Sequence, residues 1–224
     1  MQDITAITAF KDNYIWCLRQ AKLALVVDPG DAAVVQQHLQ QHQLQLAVIL
    51  ITHHHPDHTG GILALKQLWP DAVVYAPALE QNKISYADHW LEDNEQLELT
   101  DFNLTFQVMQ LPGHTLGHIA YYSAPILFCG DTLFNAGCGR LFEGTATQMW
   151  QSLSRILALP DQTLIYATHE YTLANLEFAL WADPDNQTLA SYQHWCQQQR
   201  AKQQPTLPTP LAAVSYTHLT LPTK

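Results

Sequence analysis

The stretch "ITHHHPDHTGG", residues 51–61, puts four histidines and an aspartate into six consecutive positions and follows them with two glycines. Before it runs "LQLAVILIT", residues 44–52, an apolar and largely β-branched segment that reads as a buried strand. After it comes "TGGILALKQLWP", residues 59–70, whose apolar spacing is helical. The histidine-rich segment is therefore a strand-to-helix loop.

The same grammar recurs along the chain. "FNLTFQVMQL" (102–111) precedes His114, "APILFCG" (124–130) precedes Asp131, and "TLIYAT" (163–168) precedes His169. Residues at the ends of neighbouring strands converge in space although dozens of positions separate them, which is how sites on α/β scaffolds are commonly built. Nearer the amino end, "YIWCLRQAKLALVV" (14–27) reads as two strands around a polar turn. "DPGD" (28–31) closes them, and "DAAVVQQHLQQHQ" (31–43) follows as a helix. Strands, helix, strands, helix imply an α/β architecture with helices covering the sheets. Beyond Glu170 the pattern becomes helical, with "YTLANLEFALWA" (171–182), a break at "DPDN" (183–186), and "QTLASYQHWCQQQRAKQQ" (187–204).

Imidazole and carboxylate are the ligand set of zinc and related divalent ions. In an extended segment His53 and His55 point the same way, because side chains alternate with period two, while Asp57 and His58 at the turn can face a second point nearby. Adding His114, Asp131 and His169 gives seven candidate ligands, more than one tetrahedral ion uses. A bridging carboxylate would employ them all. His53, His55, His114 and Asp131 would hold one ion, and Asp57, His58, Asp131 and His169 the other. Such a pair would supply hydroxide at neutral pH and polarise a carbonyl, so the expected chemistry is metal-assisted hydrolysis of an acyl compound, with Asp57 and Asp131 as the catalytic carboxylates. His38, His42, His89, His118 and His194 read as surface or satisfied polar residues, and His54 as pointing away. Cys129 should face elsewhere or support the site from behind.

With 224 residues, 47% of them hydrophobic and 13% charged, the chain reads as globular. Its net charge of −10, without a basic cluster, argues against nucleic acid as a partner. No apolar run is long enough for a membrane span, and "MQDITAITAF" (1–10) lacks the features of a signal peptide, so a cytoplasmic location is expected. Cys17, Cys129, Cys138 and Cys196 are widely spaced and read as buried or semi-buried free thiols.

With these residues in place, the chain resembles the metallo-β-lactamase superfamily and, within it, the glyoxalase II family of hydroxyacylglutathione hydrolases. "THHHPDH" (52–58) matches the T-H-x-H-x-D-H motif, and the likeness extends through "DNYIW" (12–16), "VDPGD" (27–31), "LPGHTLGH" (111–118), "FCGDTLF" (128–134), "GCGRLFEGT" (137–145) and "HEYTLANLEFAL" (169–180). The resemblance implies an αββα sandwich over residues 1–168, a helical substrate-binding domain over 169–212, and a binuclear centre on the seven ligands already named. It implies hydrolysis of S-D-lactoylglutathione to D-lactate and glutathione, the second step of methylglyoxal detoxification. Two divalent ions are expected, zinc first, with iron or manganese also compatible. Tyr171, Arg140 and Phe142 are implied as contacts for the glutathione moiety. The partner is thus a small glutathione thioester, and a monomer is expected. The alternatives are another hydrolase of this fold, or a persulfide dioxygenase, acting on a glutathione derivative. The ending "AAVSYTHLTLPTK" (212–224) does not match the family, so residues 213–224 are expected to be a non-native tail and His218 is not a proposed ligand.

Overall fold

In the second strand, Ile15 and Cys17 are buried in one apolar cluster, while Tyr14, Trp16 and Leu18 are buried in another. A strand whose alternate residues both find apolar cover must lie between two layers. The computed structural model describes residues 3–217, with side-chain packing for residues 3–214.

Six strands form the first sheet in the order β1 (Asp3–Ala9), β2 (Asn13–Gln20), β3 (Leu23–Val27), β4 (Gln45–Leu50), β5 (Val73–Pro77) and β6 (His89–Leu91). α1 (Ala32–Gln41) joins β3 to β4. α2 (Pro56–Thr59) and α3 (Ile62–Leu68) join β4 to β5. Val35 and Leu39 of α1 and Ile62 and Leu65 of α3 cover one face with Ile15, Val26 and Ile49. The other face of the sheet, with Trp16, Leu25, Val27 and Leu50, packs against the second sheet.

The second sheet begins with β7 (Gln96–Leu99), β8 (Leu104–Gln110), β9 (Ile119–Ser123) and β10 (Ile126–Gly130), which pair antiparallel in sequence. After a short hairpin, β11 (Leu133–Phe134) and β12 (Gly137–Cys138), comes α4 (Ala146–Leu157), started by a Thr145–Gln148 capping box. Met149, Leu153 and Ile156 of α4 join the main core. β13 (Leu164–Ala167) then adds parallel to β10. This is the αββα architecture that the resemblance implied.

Strand direction explains the site. β3, β4 and β5 are parallel, and β1 runs the same way because it and β3 flank the antiparallel β2. In the second sheet β8 and β10 likewise flank β9, and β13 is parallel to β10. The carboxyl ends of β1, β3 and β4 therefore gather at one edge of their sheet, and those of β8, β10 and β13 at one edge of theirs. An isolated pairing of Asn13 with His169 joins the two edges.

The carboxyl-terminal segment contains α5 (Thr172–Ala182) and α6 (Gln187–Ala201), with a small core of Leu176, Ala179, Leu189 and Cys196. It is not purely helical. β14 (Thr209–Pro210) returns to pair with β13, and Leu207 and Leu211 enter the main core. α7 (Leu211–Thr217) runs across the boundary expected at residue 213, and Val214 is fully buried in that same core. An apolar valine beside a sheet edge is covered whatever its origin, which the mismatch of the ending could not foretell. His218 and the rest of the tail, residues 218–224, lie outside the described residues. Among the cysteines Cys17, Cys129 and Cys196 are buried, but Cys138, on the short β12, is exposed. Among the described residues no helix is long and apolar enough to cross a membrane.

Candidate metal centre

Each proposed ligand stands just past the end of a strand. His53 and His55 follow β4, with Asp57 and His58 on α2; His114 follows β8, Asp131 follows β10 and His169 follows β13. The sharp turn between β10 and Asp131 depends on Gly130, whose φ is +50°. A Cβ there would lie 2.4 Å from Thr52 Oγ1 and 2.7 Å from His118 Nε2, so no larger residue fits.

The structure brings all seven residues together. His55 Nδ1 lies 3.0 Å from both His53 Nε2 and His114 Nε2. Asp131 is central: Oδ2 is 3.2 Å from His169 Nε2 and 3.5 Å from His114 Nε2, and Oδ1 is 3.6 Å from His58 Nε2. Asp57 Oδ2 is 3.4 Å from His169 Nε2 and 3.5 Å from His58 Nε2. Two compact donor groups result, His53 with His55 and His114, and Asp57 with His58 and His169. Asp131 groups with His53 and His58, linking the two.

Outer hydrogen bonds decide which nitrogen of each ring faces inward. The Thr52 hydroxyl donates to Asp28 Oδ2 at 2.7 Å, so at 3.1 Å it accepts from His53 Nδ1 and leaves Nε2 as a lone pair. His114 Nδ1 donates to the Arg140 carbonyl at 2.7 Å, and His169 Nδ1 to Asp12 at 2.9 Å. His58 Nδ1 lies 3.0 Å from Asp28 Oδ2. Such outer partners fix tautomer and ring orientation, as metal-binding histidines require. Asn13 Nδ2 donates to Asp57 at 3.0 Å.

The sequence reads His118 as a surface or satisfied polar histidine, and the structure rules out the surface position. It is satisfied, but it is also fully buried and accepts from the backbone N–H of Asp131 at 3.1 Å, with its other nitrogen 3.3 Å from Thr132 Oγ1. His118 therefore holds the loop that presents the shared carboxylate. Asp12, Asn13, Asp28 and Thr52 are the other supporting residues that sequence reasoning did not single out. A polar residue directly after an apolar strand was the available signal, and Asp28 after "LALVV" carries it. His54 does point away, bonding Glu80 at 3.0 Å. Cys129 turns its thiol to the Leu133 carbonyl at 3.3 Å.

The donor set fits divalent ions. His58 Nε2 and Asp131 Oδ1 are buried with no hydrogen-bond partner among the described residues, a costly arrangement for polar atoms unless a ligand engages them. Burial and its histidine neighbours push His55 down to about 4, and burial keeps His53 and His114 low, so these three offer neutral nitrogens. Burial opposes the charge on His169 too, yet bonds to Asp131 and Asp57 push it up to about 10. His58 is raised in the same way, chiefly by Asp131 and Asp28. In the metal-free chain these two therefore hold protons at neutral pH, and an incoming ion must displace them. Zinc added to metal-free protein in weakly buffered solution at pH 7 is expected to release protons, and its apparent affinity to rise with pH until His169 titrates. A pH electrode during titration reads this directly, and uptake without proton release would refute it.

Above the cluster lies an open cleft of about 560 Å³, bordered by His55, Asp57, His114, Asp131 and His169 on its polar floor. Its walls are aromatic. Phe142 stands edge-on to His55 and His114, with ring centroids 5.4 and 5.3 Å apart, and carries the Arg140 guanidinium 5.0 Å from its ring centre. Tyr171 stacks on His169 at 4.7 Å with planes 4° apart. All three residues expected to touch the substrate border this cleft.

Two family descriptions match the chain in succession, "Metallo-beta-lactamase superfamily" over residues 11–169 and "Hydroxyacylglutathione hydrolase C-terminus" over 170–213. "Hydroxyacylglutathione hydrolase 2" of Vibrio vulnificus is 50% identical over 212 residues, which covers 94% of this chain and 82% of that protein. The hydroxyacylglutathione hydrolase of Nitrosomonas eutropha is 48% identical over 218 residues, 97% of this chain and 84% of its own. Among solved structures, ETHE1 from Myxococcus xanthus superposes with a TM-score of 0.65 at 29% identity, covering 76% of each chain. TTHA1623 in a di-iron-bound form does so at 0.62 and 28%, covering 74% of this chain and 91% of that one.

Proposed function

The chain belongs to the metallo-β-lactamase superfamily, in its hydroxyacylglutathione hydrolase branch, and from this we propose that it hydrolyses S-D-lactoylglutathione to D-lactate and glutathione on two divalent ions held by His53, His55, Asp57, His58, His114, Asp131 and His169. The observation that carries the reading is the pair of donor groups linked by one carboxylate, at the floor of a cleft with aromatic walls. We take the ions to be zinc, with iron and manganese compatible with the same donors. The di-iron form of TTHA1623 supports a pair.

When bound, the ions supply Lewis-acid polarisation of the thioester carbonyl and water ionised near neutral pH. The protein does the rest. His53 and His114 keep their outer nitrogens bonded to Thr52 and the Arg140 carbonyl, so their inner nitrogens remain lone pairs, while Asp28 and Asp12 stand against the outer nitrogens of His58 and His169, whose inner nitrogens become lone pairs once their extra protons have left. Asp131 supplies buried negative charge between the two groups, and Asn13 orients Asp57. The leaving group is a thiol of pKa near 8.5, stable enough as thiolate to depart without a dedicated acid. This agrees with a cleft whose polar floor is given over to ligands. Phe142 and Tyr171 wall the thioester, and Arg140 offers its guanidinium to a carboxylate of the glutathione moiety.

The test is hydrolysis of S-D-lactoylglutathione by zinc-reconstituted protein, with metal measured on the same sample. Chelator-sensitive turnover with about two ions per chain is expected. A sample loaded with two ions but inert toward glutathione thioesters would overturn the reading.

A further inference from the structure

Past Tyr171, which borders both, the cleft is adjoined by a second groove of about 360 Å³. Phe10, Lys11, Tyr14, Ala174 and Arg200 also border it. Phe10 and Lys11 belong to the turn between β1 and β2, and the next two residues, Asp12 at the end of that turn and Asn13 at the start of β2, bond His169 and Asp57. The groove is thus anchored to the metal-binding cluster. Phe10 is exposed and has a φ of 50°, a conformation that a bulky residue avoids unless the turn imposes it.

The charges here are unevenly engaged. Asp12 is occupied by His169, and Glu170 accepts from Tyr14 and Thr206 while lying 3.7 Å from Arg200. Elsewhere Lys66 pairs with Asp88, Lys83 with Glu143 and Arg155 with Asp93. Two cations bordering the cleft and its neighbouring groove have no carboxylate partner among the described residues: Arg140 on the Phe142 side and Lys11 beyond Tyr171. On a chain of net charge −10, such free cations are where an anion is drawn.

A glutathione thioester matches that spacing of charge. Its acyl sulfur sits on the middle residue of a tripeptide, and each arm ends in a carboxylate. With the thioester over the His and Asp cluster, the arms diverge. We propose that the groove behind Tyr171 is an anion subsite in which Lys11 receives one carboxylate of the glutathione moiety while Arg140 receives the other. This rests on the thioesterase reading.

Lys11→Ala and Lys11→Glu would be compared with the unaltered protein on two substrates, S-D-lactoylglutathione and the lactoyl thioester of N-acetylcysteamine, which has no carboxylate. KM for the glutathione thioester is expected to rise about two- to fivefold in Lys11→Ala, the scale of one exposed charge pair, and further in Lys11→Glu. kcat, metal content and KM for the carboxylate-free thioester should stay unchanged. An unchanged KM in both variants, or an equal rise on both substrates, overturns the subsite. Absence of turnover in the unaltered protein would instead count against the thioesterase reading. The subsite would then be judged by calorimetric binding of S-methylglutathione, which Lys11→Glu must weaken if the proposal holds.

Discussion

Replacing Asp131 by asparagine is expected to lower thioester hydrolysis by roughly a thousandfold or more, the scale seen when a group central to transition-state charge stabilisation is removed. The geometry makes this residue the most sensitive in the cluster. Its two oxygens lie within 3.6 Å of inner nitrogens on three histidines, His58, His114 and His169, which belong to both donor groups. Asparagine keeps the shape but removes the charge, and its amide cannot present two acceptor oxygens. Metal content should fall from about two ions to one or fewer. The fold should survive, because the Asp131 backbone N–H still reaches His118 and Gly130 still makes the turn. Steady-state kinetics, elemental analysis and circular dichroism on one preparation suffice. Near-normal turnover with both ions retained would show that the carboxylate does not link the groups.

The sequence reveals the ligands more readily than their supports, and the reason is physical. His53, His55, Asp57 and His58 fall in one loop, and His114, Asp131 and His169 each follow an apolar run of strand length, so rare chemistry and local periodicity point to the same places. Asp28 also follows such a run, but "DPGD" is ordinary turn composition, and Asp28 does take the left-handed φ of 54° that turns demand. What makes it more than a turn residue is that β3 pairs parallel to β4, which sets its carboxylate beside Thr52 and His58. Strand neighbours are a long-range property. The same holds for Asp12, brought to His169 by the closure of two sheets, and for β14, whose two residues carry no strand signature yet extend the second sheet.

Replacing Asp28 by alanine is expected to destabilise the protein by about 3–5 kcal/mol and to weaken zinc binding by about 10- to 100-fold, although Asp28 touches no substrate and is not among the seven ligands. The buried carboxylate accepts from the Thr52 N–H and hydroxyl, each at 2.7 Å, and faces His58 Nδ1 at 3.0 Å. Alanine strands the Thr52 N–H and hydroxyl and His58, removes the acceptor of the Thr168 hydroxyl at 3.4 Å, and must also adopt a left-handed backbone conformation, at a further cost of about 1 kcal/mol. Asp28→Asn separates these effects. Asparagine tolerates the backbone conformation and can still accept from the Thr52 N–H, so unfolding measurements should recover part of the lost stability. Its amide group then meets Thr52 Oγ1 and His58 Nδ1, where a donor opposes a donor. His58 loses the partner that keeps its inner nitrogen free, and with Thr52 no longer donating outward, His53 loses its orientation too. Weakened zinc affinity should therefore persist in Asp28→Asn while folding improves. If affinity recovers in step with stability, packing alone orients these rings, and the carboxylate serves the fold rather than the metals.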